Sequence, residues 1–188
     1  MRKVLMCLIA VCLYPGVVIA ADSPIDKGSA ILKGGFNFAS TSGDIVDNET
    51  RTEVAIQPAL GVFVFPGFIV GGELLFQSIT WGESSMRTVG IGPFVGYYFD
   101  TSPKQTTIKG KTYPYIMGQF IYTNQSSDGG DDLIIKAFGA KVGMAFMISE
   151  TVSLDSGVGI TSQSSSYLGA SESGITLSVQ AGVTAFIW

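Results

Sequence analysis

ITLSVQAGVTAFIW, residues 175–188, closes the chain. Its odd positions up to Ile187 are all apolar: Ile175, Leu177, Val179, Ala181, Val183, Ala185 and Ile187. Its even positions from Thr176 to Thr184 read Thr, Ser, Gln, Gly, Thr. Period-2 alternation of this kind marks a β-strand with one apolar and one polar face. The stretch then stops on Trp188 with no polar tail. Which face meets solvent, and which solvent, decides the fold.

The opposite end reads MRKVLMCLIAVCLYPGVVIAADS: Arg2 and Lys3, an apolar core, then small residues at Ala20 and Ala21. This is the layout of a cleavable secretory leader, so residues 1–21 are expected to be removed and 22–188 to form a single domain. Pro15 and Gly16 break the run and argue against a retained membrane helix. Cys7 and Cys12 are the only cysteines and both fall in the leader, which excludes disulfide stapling and thiol catalysis in the mature chain. Without Arg2 and Lys3, nine basic residues face fifteen acidic ones, a net charge of −6 that makes nucleic acid an unsuitable partner. The chain is 46% hydrophobic and only 14% charged, against about 25% charged in ordinary soluble domains.

Read for period, the mature chain divides into eight two-faced segments: 28–42, 52–64, 68–81, 87–99, 112–124, 132–148, 151–163 and 175–187. Each is long enough to cross a bilayer as a tilted strand, which takes about 9 to 11 residues. In the second, Val54, Ile56, Pro58, Leu60, Val62 and Val64 oppose Glu53, Gln57 and Gly61. In the third, Phe68, Val70, Gly72, Leu74 and Phe76 oppose Gly71, Glu73 and Gln77. The apolar run ALGVFVFPGFIVGG, residues 59–72, is too short for a membrane helix. With Pro66-Gly67 at its centre it reads as a hairpin through a type II turn.

The connections after segments one, three, five and seven (GDIVDNETR, GESSM, QSSDGGDD, SSSYLGASES) are polar, whereas those after two and six are very short. TSPKQTTIKGK, residues 101–111, is the long basic exception. Strands joined this way run up and down with the four polar loops at one end, so the sequence predicts an all-β, eight-stranded antiparallel up-and-down barrel.

In a soluble barrel the apolar face points inward, and in a membrane barrel outward. Here the second face is mostly Gly, Ser, Thr, Gln and Asn, with glycines such as Gly61, Gly71, Gly90, Gly92, Gly143 and Gly182. That composition suits a crowded lumen better than a water-facing surface. Aromatics near the segment ends (Phe65, Phe68, Trp81, Tyr97, Tyr98, Phe99, Tyr113, Tyr115, Tyr122, Phe146, Phe186, Trp188) suit girdles at two bilayer interfaces.

The leader, the eight alternating segments, the short turns at one end and the final aromatic together resemble small outer-membrane β-barrels of the OmpA/OmpX type. These belong to the porin-like β-barrels of Gram-negative bacteria. FGAKVGMAFMISETVSLDSGVGIT, residues 138–161, is similar to that family's penultimate hairpin. The resemblance implies a monomeric integral protein of the outer membrane in contact with membrane lipid and lipopolysaccharide. It also implies that Phe186 and Trp188 serve as an assembly signal read by the outer-membrane assembly machinery. Both lie on the even, inward frame, whereas the family's terminal aromatic is in phase with the lipid-facing residues. A local bulge or a rim position below the bilayer would reconcile the two.

Histidine is absent, which removes Ser-His catalysis and His-based metal sites. With it go the His-dependent lipases, deacylases, palmitoyl transferases and proteases that resemble this architecture. The chain is thus expected to be non-catalytic, without cofactor or metal, and to have a structural or surface-interaction role. A narrow small-solute channel and a soluble exported barrel binding an apolar ligand are the alternatives. Isolated inward charges, Lys33, Glu53, Glu73, Lys141 and Asp155, are costly to bury unless paired. They are expected to form a lumen network with Gln57, Gln77, Gln119 and Gln180 that plugs the barrel. Asp128, Asp131 and Asp132 read as a solvated acidic loop, since their spacing is not that of an EF-hand Ca²⁺ loop. Lys104, Lys109 and Lys111 read as a solvated turn.

Overall fold

The alternation translates directly into strands, and the structure, a computed structural model, describes residues 23–41, 51–81, 84–104, 106–127, 133–167 and 170–188. The strands are β1 (Ala30–Thr41), β2 (Arg51–Phe65), β3 (Phe68–Trp81), β4 (Ser84–Tyr98), β5 (Thr112–Ser127), β6 (Leu133–Met147), β7 (Val152–Tyr167) and β8 (Ala170–Ile187). They form one closed barrel in chain order. Every neighbouring pair, β8 with β1 included, is antiparallel. Paired residues lead from Ala30 through Val62, Val70, Val95, Gly118, Ala140 and Ile160 to Leu177. The β8–β1 register, continued, sets Leu177 level with residue 40, a stagger of ten residues around the wall. Such a stagger obliges the strands to tilt by about 35–45°.

The apolar frame faces outward on all eight strands: Leu32, Ile56, Phe76, Val89, Ile116, Phe138, Val158 and Leu177 are all exposed. The inward frame is buried, and its glycines sit where side chains crowd. A Cβ added at Gly61 would meet Ile69 and Phe94, and one at Gly90 would meet Thr123 and Ile121. On the outer face, an added Cβ at Gly34 or Gly118 meets nothing within 4 Å. Pro66-Gly67 turns the β2–β3 hairpin, and Gly67 takes a φ of 76°, as the third position of a type II turn requires. Pro58 and Pro93 lie within strands, and each interrupts one ladder: β2–β3 skips from Ile56 to Ala59, and β4–β5 from Ile91 to Phe94. A proline has no N–H to donate there.

Three expectations need correction. The polar connections are shorter than the sequence suggested, because Ser84–Met86, Gln125–Ser127, Ser164–Tyr167 and Ala170–Ser173 continue the ladders. Backbone pairing does not require an apolar side chain, so a hairpin extends beyond its two-faced stretch. Residues 1–22, 42–50 and 128–132, on which the expected leader, first connection and acidic connection fall, lie outside the described residues. The aromatics do not all form girdles. Phe65, Phe68, Tyr97, Phe99 and Phe146 are exposed on the outer face at the turn end, whereas Tyr98, Tyr113, Tyr115 and Phe186 are buried within. Nor does the basic connection behave as a solvated turn throughout. Lys104 and Lys109 are exposed, but Lys111 is buried with its Nζ 3.6 Å from Asp100 Oδ2. Its carbonyl accepts the Met147 N–H at 2.9 Å, which ties the loop to the barrel base.

That base is closed by chain from both sides. The segment 23–29 crosses under the barrel: the Gly67 N–H donates to the Ile25 carbonyl at 2.8 Å and the Gly28 N–H to the Phe63 carbonyl at 2.9 Å. Ile25 and Ile108 join an apolar cluster with Ile31, Phe63, Ile69, Phe94, Tyr98 and Phe186. The lowest layer of the interior is therefore apolar.

Candidate functional site in the barrel lumen

Above the aromatic floor lies a belt of charges drawn from strands far apart in sequence. Thr184 on β8 pairs in register with Lys33 on β1 and with Ser153 on β7, so the three form one row. Lys33 Nζ lies 2.9 Å from Asp155 Oδ2, one inward position up on β7. Asp155 also accepts hydrogen bonds from Ser153 Oγ at 2.7 Å and Thr184 Oγ1 at 2.6 Å. Lys33 reaches across the barrel to β5, where it donates to Tyr115 Oη at 3.3 Å and stands 4.5 Å from the ring centroid. Room for Tyr115 comes from two glycines, since a Cβ added at Gly143 would collide with its hydroxyl end and one added at Gly157 would press on it.

A second set crosses the lumen from β6. Lys141 Nζ lies 3.6 Å from Glu73 Oε2 on β3 and donates to Gln57 Oε1 on β2 at 3.4 Å. Gln57 Nε2 donates to Glu73 Oε2 at 3.0 Å and closes a three-membered ring of contacts. Glu73 Oε1 is buried with no hydrogen-bond partner among the described residues. The two ammonium groups and two carboxylates balance to zero, as charges out of reach of water must.

The sequence-predicted residues thus divide. Lys33, Asp155, Glu73, Lys141 and Gln57 come together, and Tyr115, Ser153 and Thr184 complete the belt. Those three were not singled out: hydroxyls on the polar face look alike in sequence, and only register reveals which one meets a carboxylate. Gln77, Gln119 and Gln180 are half-buried on the inward frame above the belt, and the Glu53 side chain lies outside the described residues. The terminal aromatics separate too. Phe186 is buried inward, edge-on to Tyr98 with ring centroids 6.3 Å apart. Neither ladder of β8 contains a bulge, so that reconciliation does not apply. Trp188 lies just past the end of β8, packed against the apolar floor, with its indole Nε1 buried.

In chemical terms the site joins opposite walls. One link runs from β1 to β5 and another from β6 to β2 and β3, and both stand over a filled aromatic floor.

No protein-family model matches the sequence, and no curated protein matches it. Solved structures do. The crystal structure of Neisserial surface protein A (NspA) superposes with a TM-score of 0.57 at 15% identity, covering 85% of this chain and 97% of that one. The outer membrane protein OprG from Pseudomonas aeruginosa superposes with a TM-score of 0.53 at 12% identity, covering 89% of this chain and 99% of that one. The fold of this chain is that of the small eight-stranded outer-membrane β-barrels.

Proposed function

We propose that the protein is a non-catalytic, integral outer-membrane β-barrel with a structural or surface-interaction role, its lumen plugged by its own side chains. The observation that carries this reading is the inverted placement of polarity. Large apolar residues face outward around the whole wall, while four charged groups are enclosed within it. A soluble barrel binding an apolar ligand would require the reverse, and exposed apolar patches on soluble proteins rarely exceed a few hundred Å². Membrane lipid is the solvent such a surface needs. Arg87 and Lys136 are exposed on the same outward frame toward the loop end, suitably placed for the phosphates of lipopolysaccharide.

The plug rather than the channel follows from the two cross-lumen links and the closed base, since eight strands leave an interior that side chains can fill. Phe186 and Trp188 serve as the assembly signal only before the barrel closes, because the closed barrel buries Phe186. Cell fractionation, with heat-modifiable migration of the purified barrel and planar-bilayer recording, tests the reading. The expected result is an outer-membrane protein whose migration shifts on boiling and which passes no steady current. Recovery from the periplasm would overturn the membrane assignment, and a steady open conductance would overturn the plug.

A further inference from the structure

The outward face of β7 changes character along its length. Val158 and Ile160 are apolar, whereas Ser162 and Ser164, the next two outward positions toward the loop end, present exposed hydroxyls. Both neighbouring strands stand taller at that height. On β6, Phe138 pairs with Ser162 and packs its ring 4.7 Å from that of Phe120 on β5. On β8, Ile175 pairs with Ser162 from the other side and is 73% exposed. β7 is therefore the floor of a trough between two apolar ridges.

Toward the turn end the trough opens into a groove of about 410 Å³ on the outer wall, lined chiefly by Ala140, Val142, Val158, Ile160, Leu177 and Val179. Ala140 is the small member of the outward series Phe138, Ala140, Val142 and Met144, and the groove forms where it falls short. Toward the loop end the trough meets Lys136, which pairs with Ser164 on β7 and with Tyr122 on β5. A tyrosine and a lysine side by side on an outward row mark the level of a bilayer interface. Lys136 stands four residues along β6 from Ala140, about 13 Å of strand. A cation and hydroxyls at the interface, with an apolar seat directly beneath, match an anionic amphiphile.

We propose that this face of β6, β7 and β8 is a binding site for one lipopolysaccharide molecule. A lipid A phosphate sits on Lys136 and Ser164, and an acyl chain runs over Ser162 into the groove at Ala140. The site rests on the membrane reading above, which sets the loop end in the outer leaflet. Lys136 donates to the phosphate oxygens, and the Ser162 hydroxyl donates to an acyl ester carbonyl below them. Lipid covers the whole outer wall of such a barrel, but here a fixed charge and a depression lie on one line. Head and chain are held together, and each makes the other's contact more probable. Arg87 lies on β4, on the far side of the ridge that Phe120 and Phe138 form.

Native mass spectrometry of the purified, delipidated barrel, titrated with bisphosphoryl lipid A, tests the site. The expected result is saturation at one retained lipid A per barrel. Lys136→Gln removes the charge and Ala140→Leu fills the groove without touching the charge, and each should weaken retention by about tenfold. Arg87→Gln and Val95→Leu, both on β4, should leave it within about twofold. Unchanged retention in Lys136→Gln or Ala140→Leu would overturn the site, as would an equal loss in Arg87→Gln, which would reveal only a general attraction of cations for lipid A. Equal retention of dephosphorylated lipid A would overturn the phosphate contact, and equal retention of phosphatidylglycerol would overturn the choice of lipopolysaccharide. Heat-modifiable migration shows that each variant has folded, and fractionation reports separately on the membrane reading. An outer-membrane barrel that retains no lipid A overturns this site alone.

Discussion

Replacing Asp155 with alanine isolates the central ion pair. The Asp155 side chain is 2% exposed and holds three donors, Lys33 Nζ, Ser153 Oγ and Thr184 Oγ1, at 2.9, 2.7 and 2.6 Å. Removing it leaves the Lys33 ammonium, on a side chain 14% exposed, with the Tyr115 hydroxyl and ring as its remaining partners among the described residues. Stranding one member of a buried pair costs about 3–5 kcal/mol, and the two buried hydroxyls that lose their acceptor add to this. Taking about 4 kcal/mol and a urea slope of about 2 kcal/mol per molar, the unfolding midpoint should fall by about 2 M. Equilibrium unfolding in phospholipid vesicles, followed by tryptophan fluorescence and by heat-modifiable migration, measures this. Lys33→Met in the Asp155→Ala background removes the stranded charge and should recover about 2 kcal/mol, because an apolar replacement of a buried pair is often close to neutral. A loss below about 1 kcal/mol, or strictly additive effects in the double variant, would refute the claim that the pair is buried and coupled.

Three further outcomes follow from the same packing. A Cβ at Gly92 would fall inside the contact radius of the Phe120 carbonyl oxygen, a backbone atom that cannot turn aside. Gly92→Ala should therefore cost more than about 3 kcal/mol or abolish the heat-modifiable form, while Gly118→Ala on the open outer face should stay within about 0.5 kcal/mol of the parent. Phe186→Ala empties a buried site and should cost about 3–5 kcal/mol in the same unfolding assay. Ile187→Ala, at a half-exposed outward position, should cost clearly less, and equal losses would contradict the inward assignment of the ring. Lys111→Met should cost about 1 kcal/mol through its pair with the part-exposed Asp100. Lys109→Met, at an exposed position, should leave the unfolding midpoint unchanged.

The strand count, the facing of each residue and the closed up-and-down order were legible because period-2 alternation is a local signal. Leu177 and Thr184 lie on the faces their positions require. Depth was not legible. Lys33 and Asp155 are 122 positions apart and meet because Thr184, on the strand between theirs, pairs with Lys33 on one side and with Ser153 on the other. Alternation says that a residue points inward but not at what height, since height is fixed by a stagger that accumulates over eight registers. For the same reason alternation does not reveal that the lumen divides into an aromatic floor beneath a charged belt. The burial of Lys111 was hidden differently, because its ladder bond to Met147 is made by a residue that looks like part of a basic loop.

The inward terminal aromatic follows from that floor. A barrel in lipid gains little from packing outward-facing rings, because lipid tails are as apolar as the side chains that would cover them. Interior contacts are different: they fill space that no lipid can reach, and a void there forfeits dispersion outright. At the turn end the wall is lined by Ile31, Phe63, Ile69 and Tyr98, and the inward position of β8 facing that space is residue 186. A small residue there would leave the floor open beside Ile31, its register partner on β1. Phe186 faces inward because closing the last strand against the first also has to close the base, and one ring serves both ends.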